Sequence, residues 1–401
     1  MPRRRRRRYE SHDPEASCRE RPARDSGQGE AGSPGHRGSG CAAAAEVGSP
    51  ASRLRHGRSA LIHDVLIVGG GPAGAATAIA LADRGVKSAI VERNPAPPPR
   101  VGETLPPSVR NPLEKLGVWQ RFLDDRHDPA VGNRSSWGSD RIDEIHFIRN
   151  AYGNGWHIDR QKFEGMLLDE ARARGVTLFM GEKFDPQTSH RAHFVVDATG
   201  RASFIARLAG ADRIAIDHLI ALTMFLEPRL PDPQQKFTLI EAVENGWWYS
   251  APLPDGRLVV AYMTDGDLER EEWSDAVART HTTRERIAAY APADDEPHIA
   301  SANTSRLNTV IGTNWLAAGD AATAFDPLSS QGIITALESA LDAATAIADD
   351  NLAHYAENVT DRYRQYLVER AQYYAAEQRW PHSEFWRRRQ LHLQASHANA
   401  S

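Results

Sequence analysis

A glycine-rich turn between an apolar strand and a helix constrains this chain more than any other feature of its sequence. The run DVLIVGGG starts at Asp64, the helical pattern PAGAATAIALADRG follows directly, and VKSAIVERN is a second apolar run. Strand, helix and strand within about 30 residues is the size of a βαβ unit. The sequence therefore predicts an α/β fold with a Rossmann-type unit that begins near residue 63.

The glycines of this turn match GxGxxG, the pattern of a dinucleotide-binding turn. Gly69 permits the tight turn, Gly71 lets the backbone approach a pyrophosphate, and Gly74 allows the helix to pack closely on the strand. Pro72 and Ala73 open the helix, whose free N–H groups and positive dipole end favour phosphate. A glycine turn without a ligand is the alternative. The strand before it and the helix after it favour a nucleotide site formed by these five residues.

The second strand ends in an acidic residue, Glu92, at about the 20-residue distance from the first glycine that dinucleotide sites show. A carboxylate at this place bonds the ribose hydroxyls and disfavours a 2′-phosphate. We expect Glu92 and the adjacent Arg93 to contact the cofactor. The alternative for Glu92 is a solvated surface carboxylate.

Composition excludes several other classes of function. The formal net charge of -5 gives no basic field for nucleic acid, and no apolar run reaches the roughly 20 residues that cross a bilayer. Both cysteines, Cys18 and Cys41, lie near the start, so a disulfide scaffold or a cysteine-based zinc site is excluded downstream. The histidines are scattered without metal-ligand spacing. We expect a cytoplasmic protein with no metal, no nucleic-acid partner and no integral membrane segment.

The chain of 401 residues suits one large or two coupled domains. Residues 1–60 carry a six-arginine run and are rich in Gly, Ser and Pro, so we expect a disordered extension, with a nucleic-acid or membrane-surface tail as the alternative. Residues 61–214 and 302–350 are predicted to form the cofactor domain. Residues 219–265 alternate between apolar and polar positions, as antiparallel strands do, and residues 215–301 should form a substrate-domain sheet. Residues 351–401 should form a C-terminal helical tail.

Two distant segments extend the cofactor pattern. They are VVDATG at 195–200, and LAAGDAA at 316–322 followed by FDPLSSQG at 325–332. Together with the glycine turn they resemble the flavoprotein monooxygenases of the p-hydroxybenzoate hydroxylase superfamily. The resemblance implies FAD as the cofactor, with the strand end at Asp197 to Gly200 near the nucleotide. It also implies that Asp320, after Gly319, binds the ribityl chain.

The same resemblance assigns the loop and helix that follow. Pro327 would lie near the reactive face of the flavin, and Gln331 and Gly332 would place backbone N–H groups near the pyrimidine oxygens. A helix N terminus there would stabilise the negative charge of the reduced flavin. Asp326 could act as an acid or base, and the alternative is a helix-capping carboxylate.

Two further segments indicate a branch of this superfamily. VGETLPP at 101–107 and GWWYSAP at 246–252 resemble segments of the flavin-dependent tryptophan halogenases, with Tyr249 and Ala251 departing from the pattern of the branch. The FDPLSSQGI loop and the aromatic tail resemble a non-halogenating set within it. That set includes the maturation flavoproteins of quinone-cofactor amine oxidases and dehydrogenases, which oxygenate a tryptophan in a partner polypeptide. Arg100, just before the first segment, could contact the cofactor or the substrate entry.

The resemblance implies an FAD-dependent monooxygenase that uses O2 to hydroxylate an indole-like or tryptophan-like ring, either free or carried on a peptide. Electrons would come from NAD(P)H directly or from a separate flavin reductase, because the chain has a single GxGxxG. A halogenase is one alternative, but the stretch from Asp124 to Asp143 lacks the lysine that halogenation needs, and Lys115 comes too early. An alkene reductase like the geranylgeranyl reductases and a non-catalytic FAD-binding maturation partner are the others.

Aromatic residues are the candidates for the substrate side. Trp247, Trp248 and Tyr249 could form a wall for a flat ring, with Trp247 favoured by the motif, although aromatic residues also pack well in ordinary sheets. His157 is a candidate base, and a packing histidine is the alternative. The tail is rich in aromatic residues, which either cover the FAD domain or form a docking surface for a protein substrate; they are Tyr355, Tyr363, Tyr366, Tyr373, Tyr374, Trp380, Phe385 and Trp386.

Overall fold

The computed structural model describes residues 63–98, 104–187, 192–231, 236–269 and 271–390. The extension at 1–60, Arg100 and the VGE part of the 101–107 segment lie outside the described residues. Within these ranges no helix has the length and apolarity needed to span a membrane.

The strands, in chain order, form four sheets within the described ranges. They are β1 (His63–Val68), β2 (Ser88–Glu92), β3 (Thr104–Leu105), β4 (Asp128–Ala130), β5 (Gly132–Ser136), β6 (Asp143–His146), β7 (Gly155–His157), β8 (Thr177–Met180), β9 (Ala192–Asp197), β10 (Arg213–Ala215), β11 (Leu219–Pro228), β12 (Phe237–Val243), β13 (Gly246–Pro252), β14 (Leu258–Asp265), β15 (Tyr290–Pro292), β16 (His298–Ser301), β17 (Ser305–Leu307), β18 (Trp315–Ala317) and β19 (Thr323–Ala324).

The α-helices connect and cover these sheets. They are α1 (Pro72–Ala82), α2 (Arg110–Lys115), α3 (Trp119–Asp124), α4 (Arg160–Ala173), α5 (Phe204–Leu208), α6 (Trp273–Ala278), α7 (Thr282–Ile287), α8 (Gly332–Asp349) and α9 (Leu352–Ala376), and residues 384–390 are also helical. Short 3₁₀ turns occur at Pro107–Val109, Phe147–Arg149, Gly200–Ala202, Gly319–Ala321 and Pro327–Ser329.

A five-stranded parallel sheet in the order β18-β9-β1-β2-β8 forms the first layer. Its central strand β1 is apolar from Val65 to Val68, as expected of a strand that is covered on both faces. Helix α1 packs against α4 and α8, and its sequence PAGAATAIALA consists mainly of small residues that allow this close approach. The predicted α/β class with a Rossmann-type unit is confirmed.

An eight-stranded, mainly antiparallel sheet faces this layer, in the order β15-β11-β14-β13-β12-β5-β6 with β16 beside β11. Strands β11 to β14 come from residues 219–265, where the sequence shows alternation. Strands β5 and β6 come from a much earlier part of the chain, which the sequence placed in the cofactor domain; β5 joins β12 in parallel. These two strands read GNRSS and DEIH. They have no apolar alternation, so the sequence gives no signal for them.

Helix α4 begins at Arg160, where the Asp159 carboxylate accepts a hydrogen bond from the Lys162 N–H. His157 ends β7, which pairs with β3 and β4 in a small antiparallel sheet. The His157 side chain therefore lies in the interior, at the end of a strand.

The C-terminal segment packs its aromatic rings into the protein. The Tyr355 hydroxyl donates to the Ala317 carbonyl in the parallel layer, and the Trp386 Nε1–H donates to the Val243 carbonyl in the antiparallel sheet. Tyr363, Tyr366, Tyr374 and Phe385 are buried, whereas Tyr373 is exposed. The segment therefore covers both layers. Most of its rings are unavailable as a docking surface.

Candidate functional site

A cavity of about 490 Å³ lies between the carboxyl ends of the parallel strands and the inner face of the antiparallel sheet. Gly71 and Glu92 line one end, and Tyr249, Ala261 and Pro327 line the other. The crevice at the carboxyl ends of parallel strands is where nucleotides bind in open α/β sheets. The elements that meet here come from distant parts of the chain.

The glycines of the first turn occur for two different structural reasons. Gly69 has φ +108°, and a Cβ there would lie 2.3 Å from the Ala198 carbonyl oxygen. A Cβ at Gly74 would lie 1.9 Å from the Gly69 carbonyl oxygen, so these two positions exclude any side chain. At Gly71 a Cβ would meet no atom within 4 Å, since this position faces the cavity.

Open space of this kind is what a bound cofactor would fill. Gly200 and Gly332 also line the cavity, and a Cβ at either position would meet nothing within 4 Å. No side chain caps the N terminus of α1, so its first N–H groups are available to an anionic ligand. Pro72 and Ala73 line the cavity beside this helix end. The arrangement fits the diphosphate of FAD.

The Glu92 carboxylate fixes the turn as well as facing the cavity. Its Oε2 accepts from the Gly70 N–H at 2.8 Å, and its Oε1 accepts from the Asn94 N–H at 2.8 Å and the Asn94 amide at 2.7 Å. Glu92 and Arg93 both line the cavity. The predicted contact of Glu92 with a ribose is compatible with this position and stays a prediction.

In the Gly319–Asp320 motif, Gly319 allows close packing and Asp320 lines the cavity. A Cβ at Gly319, which has φ +60°, would lie 2.7 Å from the Ala73 Cβ. Gly319 does not line the cavity itself, but its lack of a side chain lets this strand end approach α1. Asp320 lines the cavity with its side chain 43% exposed, and its Oδ2 lies 3.9 Å from the Arg201 Nε. Asp320 is thus available to a hydroxylated chain such as ribityl.

Asp197 supports the cavity from behind. Its Oδ1 accepts from the Thr199 N–H at 3.0 Å and the Thr199 hydroxyl at 2.6 Å, and its Oδ2 accepts from the Ala206 N–H at 2.9 Å. The side chain is fully buried and is not among the residues that line the cavity. It holds the turn that brings Gly200 to the cavity.

Asp326 and Pro327 lie where a buried hydrogen-bond network meets the cavity. The Asp326 Oδ1 accepts from the Leu328 N–H at 2.9 Å, and its Oδ2 accepts from the Tyr374 hydroxyl at 2.6 Å and lies 3.4 Å from the Arg370 Nε. Both oxygens are occupied, which favours the capping interpretation over an acid or base role. Pro327 lines the cavity, held at the start of the turn that Asp326 caps.

Gln331 and Gly332, the two cofactor contacts predicted at the end of this loop, differ in their position relative to the cavity. Gly332 lines the cavity at the first turn of α8. Gln331 does not line it, and its Nε2 donates to the Glu369 Oε2 at 3.3 Å. The 18-residue α8 therefore directs its positive end toward the cavity through Gly332.

Trp247 does not form part of the aromatic wall that the motif predicts on the substrate side. Its side chain is buried, its Nε1–H donates to the Tyr374 hydroxyl at 3.1 Å, and its ring centroid lies 6.4 Å from that of Trp137. Trp248 points to the opposite face of the sheet and stacks on Tyr262. Neither tryptophan lines the cavity; Trp247 instead belongs to the hydrogen-bond network of Tyr374 and Asp326, behind Pro327. Tyr249 is the member of this trio that lines the cavity.

Tyr249 belongs to a polar cluster with Thr104 and His157. The Thr104 hydroxyl lies 2.9 Å from the Tyr249 hydroxyl and 3.3 Å from the His157 Nδ1. Burial and then the positive charge of Arg286 lower the pKa of His157 to about 4, so its ring is neutral near pH 7. His157 is therefore a buried hydrogen-bonding partner one residue behind the cavity wall.

Two arginines that the sequence did not single out line the cavity. The Arg201 guanidinium donates to the Asn303 Oδ1 at 2.9 Å and to the Phe325 carbonyl at 3.0 Å. Arg160, in the first turn of α4, also lines the cavity. Arg160 is paired with the buried Glu164 carboxylate at 2.5 Å, so Arg201 is the one of the two that carries positive charge toward a space suited to an anionic cofactor. The one sequence feature that could have indicated Arg201 is its position directly after Gly200 of the VVDATG segment.

The antiparallel sheet lines the cavity mainly with small side chains, beside the larger Tyr249, Val259 and Met263. Ala221, Thr223, Ala261, Ala300 and Ala302 face it from the antiparallel sheet. Among the described residues that line the cavity, the one lysine is Lys183, which follows β8 beside the nucleotide end. Across the same described ranges, no group of three His, Cys, Asp or Glu side chains is placed to hold a metal ion.

Comparison with known proteins gives matches along most of the chain. A family model described as an FAD binding domain matches residues 63–190, and one described as tryptophan halogenase matches residues 141–400. The chain is 29% identical to the putative FAD-dependent oxidoreductase LodB of Marinomonas mediterranea, over 84% of this chain and 99% of LodB.

Two solved structures resemble this one closely in fold. The flavin-dependent halogenase CmlS aligns with a TM-score of 0.72 and 26% identity, over 81% of this chain and 67% of CmlS. QhpG, a peptidyl tryptophan dihydroxylase essential for tryptophylquinone cofactor biogenesis, aligns with a TM-score of 0.69 and 25% identity, over 82% of this chain and 78% of QhpG.

Proposed function

Because this chain is an FAD-dependent oxidoreductase that belongs to the tryptophan halogenase family, we propose that it uses O2 to hydroxylate an aromatic ring. The ring is that of an indole or a tryptophan, carried on a polypeptide. The similarity to QhpG supports a tryptophan within a peptide. LodB, which this chain matches over nearly its whole length, is described as a putative FAD-dependent oxidoreductase.

The observation that carries hydroxylation over halogenation is the composition of the substrate end. Halogenation in this family requires a lysine that handles the oxidised halide, and Lys183, the one lysine among the described residues that line the cavity, lies at the other end. The described residues around Tyr249 and Pro327 offer hydroxyl groups and small apolar side chains instead. Such a surface holds a flat ring without providing a cation for halide chemistry.

The cofactor-binding residues have distinct tasks in this proposal. Gly71, Pro72 and Ala73 and the α1 N terminus would hold the diphosphate, with Arg201 balancing its charge. Glu92 and Arg93 would contact the ribose region, and Asp320 the ribityl chain. Bound FAD supplies the redox chemistry that activates O2. Gly332 and the positive end of α8 stabilise negative charge that develops at that end of the cavity.

The substrate-side residues position the ring and exclude water. Ala221, Ala261 and Ala302 leave a space with few polar groups, which favours oxygen transfer to a ring over loss of the oxidant to water. The Tyr249 hydroxyl, oriented by Thr104, can hydrogen-bond a polar group of the substrate. Neutral His157 keeps the Thr104 hydroxyl in place from behind.

The test uses purified full-length protein with bound FAD. The flavin is reduced chemically, mixed with oxygenated buffer and a tryptophan-containing peptide, and the peptide is analysed by mass spectrometry. We expect oxygen incorporation that is lost without O2 and that is insensitive to chloride and bromide. Parallel samples receive NADH, NADPH or a separate flavin reductase in place of the chemical reductant, to identify the electron source.

Other outcomes would replace the proposal with a specific alternative. A halogenated peptide that forms only when halide is present would make the protein a halogenase despite its cavity wall. Reduction of an alkene without O2 would indicate a reductase. Stable FAD binding with no product from any free or peptide-borne indole would favour a non-catalytic maturation partner.

A further inference from the structure

Strand β16 lies at the mouth of the cavity and is exposed along its whole length. It pairs with β11 on one side, and no other strand within the described residues pairs with it. An edge strand of this kind presents unpaired backbone groups that can pair with another extended chain. Ala300 and Ser301, from this strand, line the cavity.

Backbone geometry shows which groups of β16 point outward. The Ala302 N–H donates to the Leu219 carbonyl at 3.0 Å, and the strands are antiparallel with Ala300 opposite Ala221. Backbone groups alternate in direction along an antiparallel strand, so Ala300 bonds toward β11. The N–H and C=O groups of Ile299 and Ser301 therefore point away from β11, toward solvent.

The side chains follow the same alternation. Ala300 lies opposite Ala221, which lines the cavity, so the Ala300 side chain is on the cavity face of the sheet. A residue of an added strand beside Ala300 would point to that same face, with its Cβ about 5 Å away. Because Ala300 and Ala302 have small side chains, a large ring at that register can enter the cavity.

An open groove continues from the cavity at this strand. It has a volume of about 480 Å³ and is lined by residues 215–220, Gly266, Asp267, Ser301 and Asn303. Ser301 lines both the groove and the cavity. The groove thus offers room for a polypeptide that extends beyond the residue inserted at the flavin.

Acidic residues precede the edge strand. Asp294, Asp295 and Glu296 lie in the four residues before His298, and they are half-exposed or exposed. A carboxylate cluster at one end of the binding strand favours a polypeptide that carries a cationic side chain there. Charge and the free backbone edge therefore favour the same kind of occupant, an extended basic segment.

We propose that an extended segment of the polypeptide substrate pairs with the outer edge of β16 and inserts its aromatic side chain into the cavity beside Ala300. This inference rests on the proposed function and adds how the substrate is held. Main-chain hydrogen bonds to Ile299 and Ser301 supply affinity, and the cavity selects the side chain at one register position, as in other cases of strand addition.

The test compares two substitutions at one position in the full-length holoprotein. Ile299→Pro removes an outward N–H, whereas Ile299→Ala removes the exposed side chain and keeps the N–H. The probe is a short fluorescein-labelled peptide with a central tryptophan flanked by arginine and β-branched residues, and binding is followed by fluorescence anisotropy. The flavin spectrum and circular dichroism verify that both variants are folded.

We expect Ile299→Pro to weaken peptide binding by on the order of tenfold, as loss of a backbone hydrogen bond with its strand register would do, and Ile299→Ala to bind like the wild type. Replacing the arginines of the peptide by glutamates should also weaken binding. Equal binding by all three proteins would overturn the inference. So would a dimer that Ile299→Pro converts to a monomer, because β16 would then bind a second copy of the chain.

The two proposals fail in different ways. Edge-dependent peptide binding without any oxygen-dependent product would contradict the proposed function and leave the binding site intact. Hydroxylation of a free indole by a protein that binds no peptide would contradict the binding site and leave the oxygen chemistry intact.

Discussion

Replacing Tyr374 by phenylalanine tests the buried network that holds the cavity loop. The Tyr374 hydroxyl accepts from the Trp247 Nε1–H at 3.1 Å and donates to the Asp326 Oδ2 at 2.6 Å, and all three side chains are buried. Burial, and then the nearby Asp326 carboxylate, raises the pKa of Tyr374 well above its ordinary value, so the hydroxyl stays protonated and can donate.

The magnitude follows from the two hydrogen bonds that the substitution removes. A hydrogen bond to a charged group contributes about 1.5–3 kcal/mol, and a buried donor left without an acceptor costs about 1–3 kcal/mol. Loss of both, with some relaxation, should lower the free energy of unfolding by about 3 kcal/mol. If the urea dependence is about 3 kcal/mol per M, the unfolding midpoint falls by about 1 M.

The assay is urea unfolding followed by tryptophan fluorescence, at a fixed excess of FAD because bound cofactor adds to the stability. The matched control is Tyr373→Phe, which removes the same hydroxyl from the adjacent residue, whose side chain is 54% exposed. The control should change the free energy of unfolding by less than about 0.5 kcal/mol.

A double-mutant cycle with Trp247→Phe isolates the hydrogen bond between Trp247 and Tyr374, and the coupling should be about 1 kcal/mol. Because Asp326 caps the turn that carries Pro327, Tyr374→Phe should also weaken FAD binding. If Tyr374→Phe is as stable as Tyr373→Phe, the network does not hold the loop, and the assignment of Trp247 to a supporting role would be wrong.

Two further predictions concern the glycine turn and pH. Gly71→Leu should keep the fold but lose FAD affinity, because the leucine side chain would occupy the open cavity. Gly74→Ala should lower stability, because its Cβ would lie 1.9 Å from the Gly69 carbonyl oxygen. Flavin titration measures the first effect and thermal unfolding the second. The pKa of His157 is about 4 in the folded protein and near 6.5 when unfolded, so the unfolded state binds more protons between these values and stability is lost as pH falls. Between pH 7 and pH 5, His157→Gln should reduce the decrease in the free energy of unfolding by about 2 kcal/mol, as measured by urea unfolding. A decrease equal to that of the wild type would show that His157 is not buried as a neutral ring.

Local sequence patterns predicted the elements that hold the cofactor. The turn from Gly69 to Gly74 is determined by contacts within the βαβ unit and with one neighbouring strand end, so its pattern can be read locally. The α/β class, the FAD-dependent oxidoreductase and its halogenase-like branch were all indicated by such segments, and the structure and comparisons confirm them. The individual cofactor contacts stay predictions.

The orientation of single side chains could not be predicted in the same way. Alternation along β13 places Trp247 and Tyr249 on the same face. Which of them reaches the cavity depends on Tyr374, which lies 127 positions after Trp247 in the chain. Asp326 is similar, because its ion pair requires Arg370 on α9. Such choices depend on tertiary contacts that leave no periodic signal in the sequence.

The aromatic network and the edge strand make the two sides of the cavity different. At one end of β13, Trp247 is packed against Trp137 and hydrogen-bonded to Tyr374, so the sheet face is closed there by residues of the core. On the other side of the cavity β16 is exposed, and its small residues Ala300 and Ser301 line the opening. A bulky aromatic side chain on a polypeptide can approach from this exposed side, because the main chain that carries it can stay at the surface. A cavity that is closed by core packing at one end and bordered by a free strand edge at the other is therefore better suited to a residue presented on an extended chain than to a substrate that must be wholly enclosed.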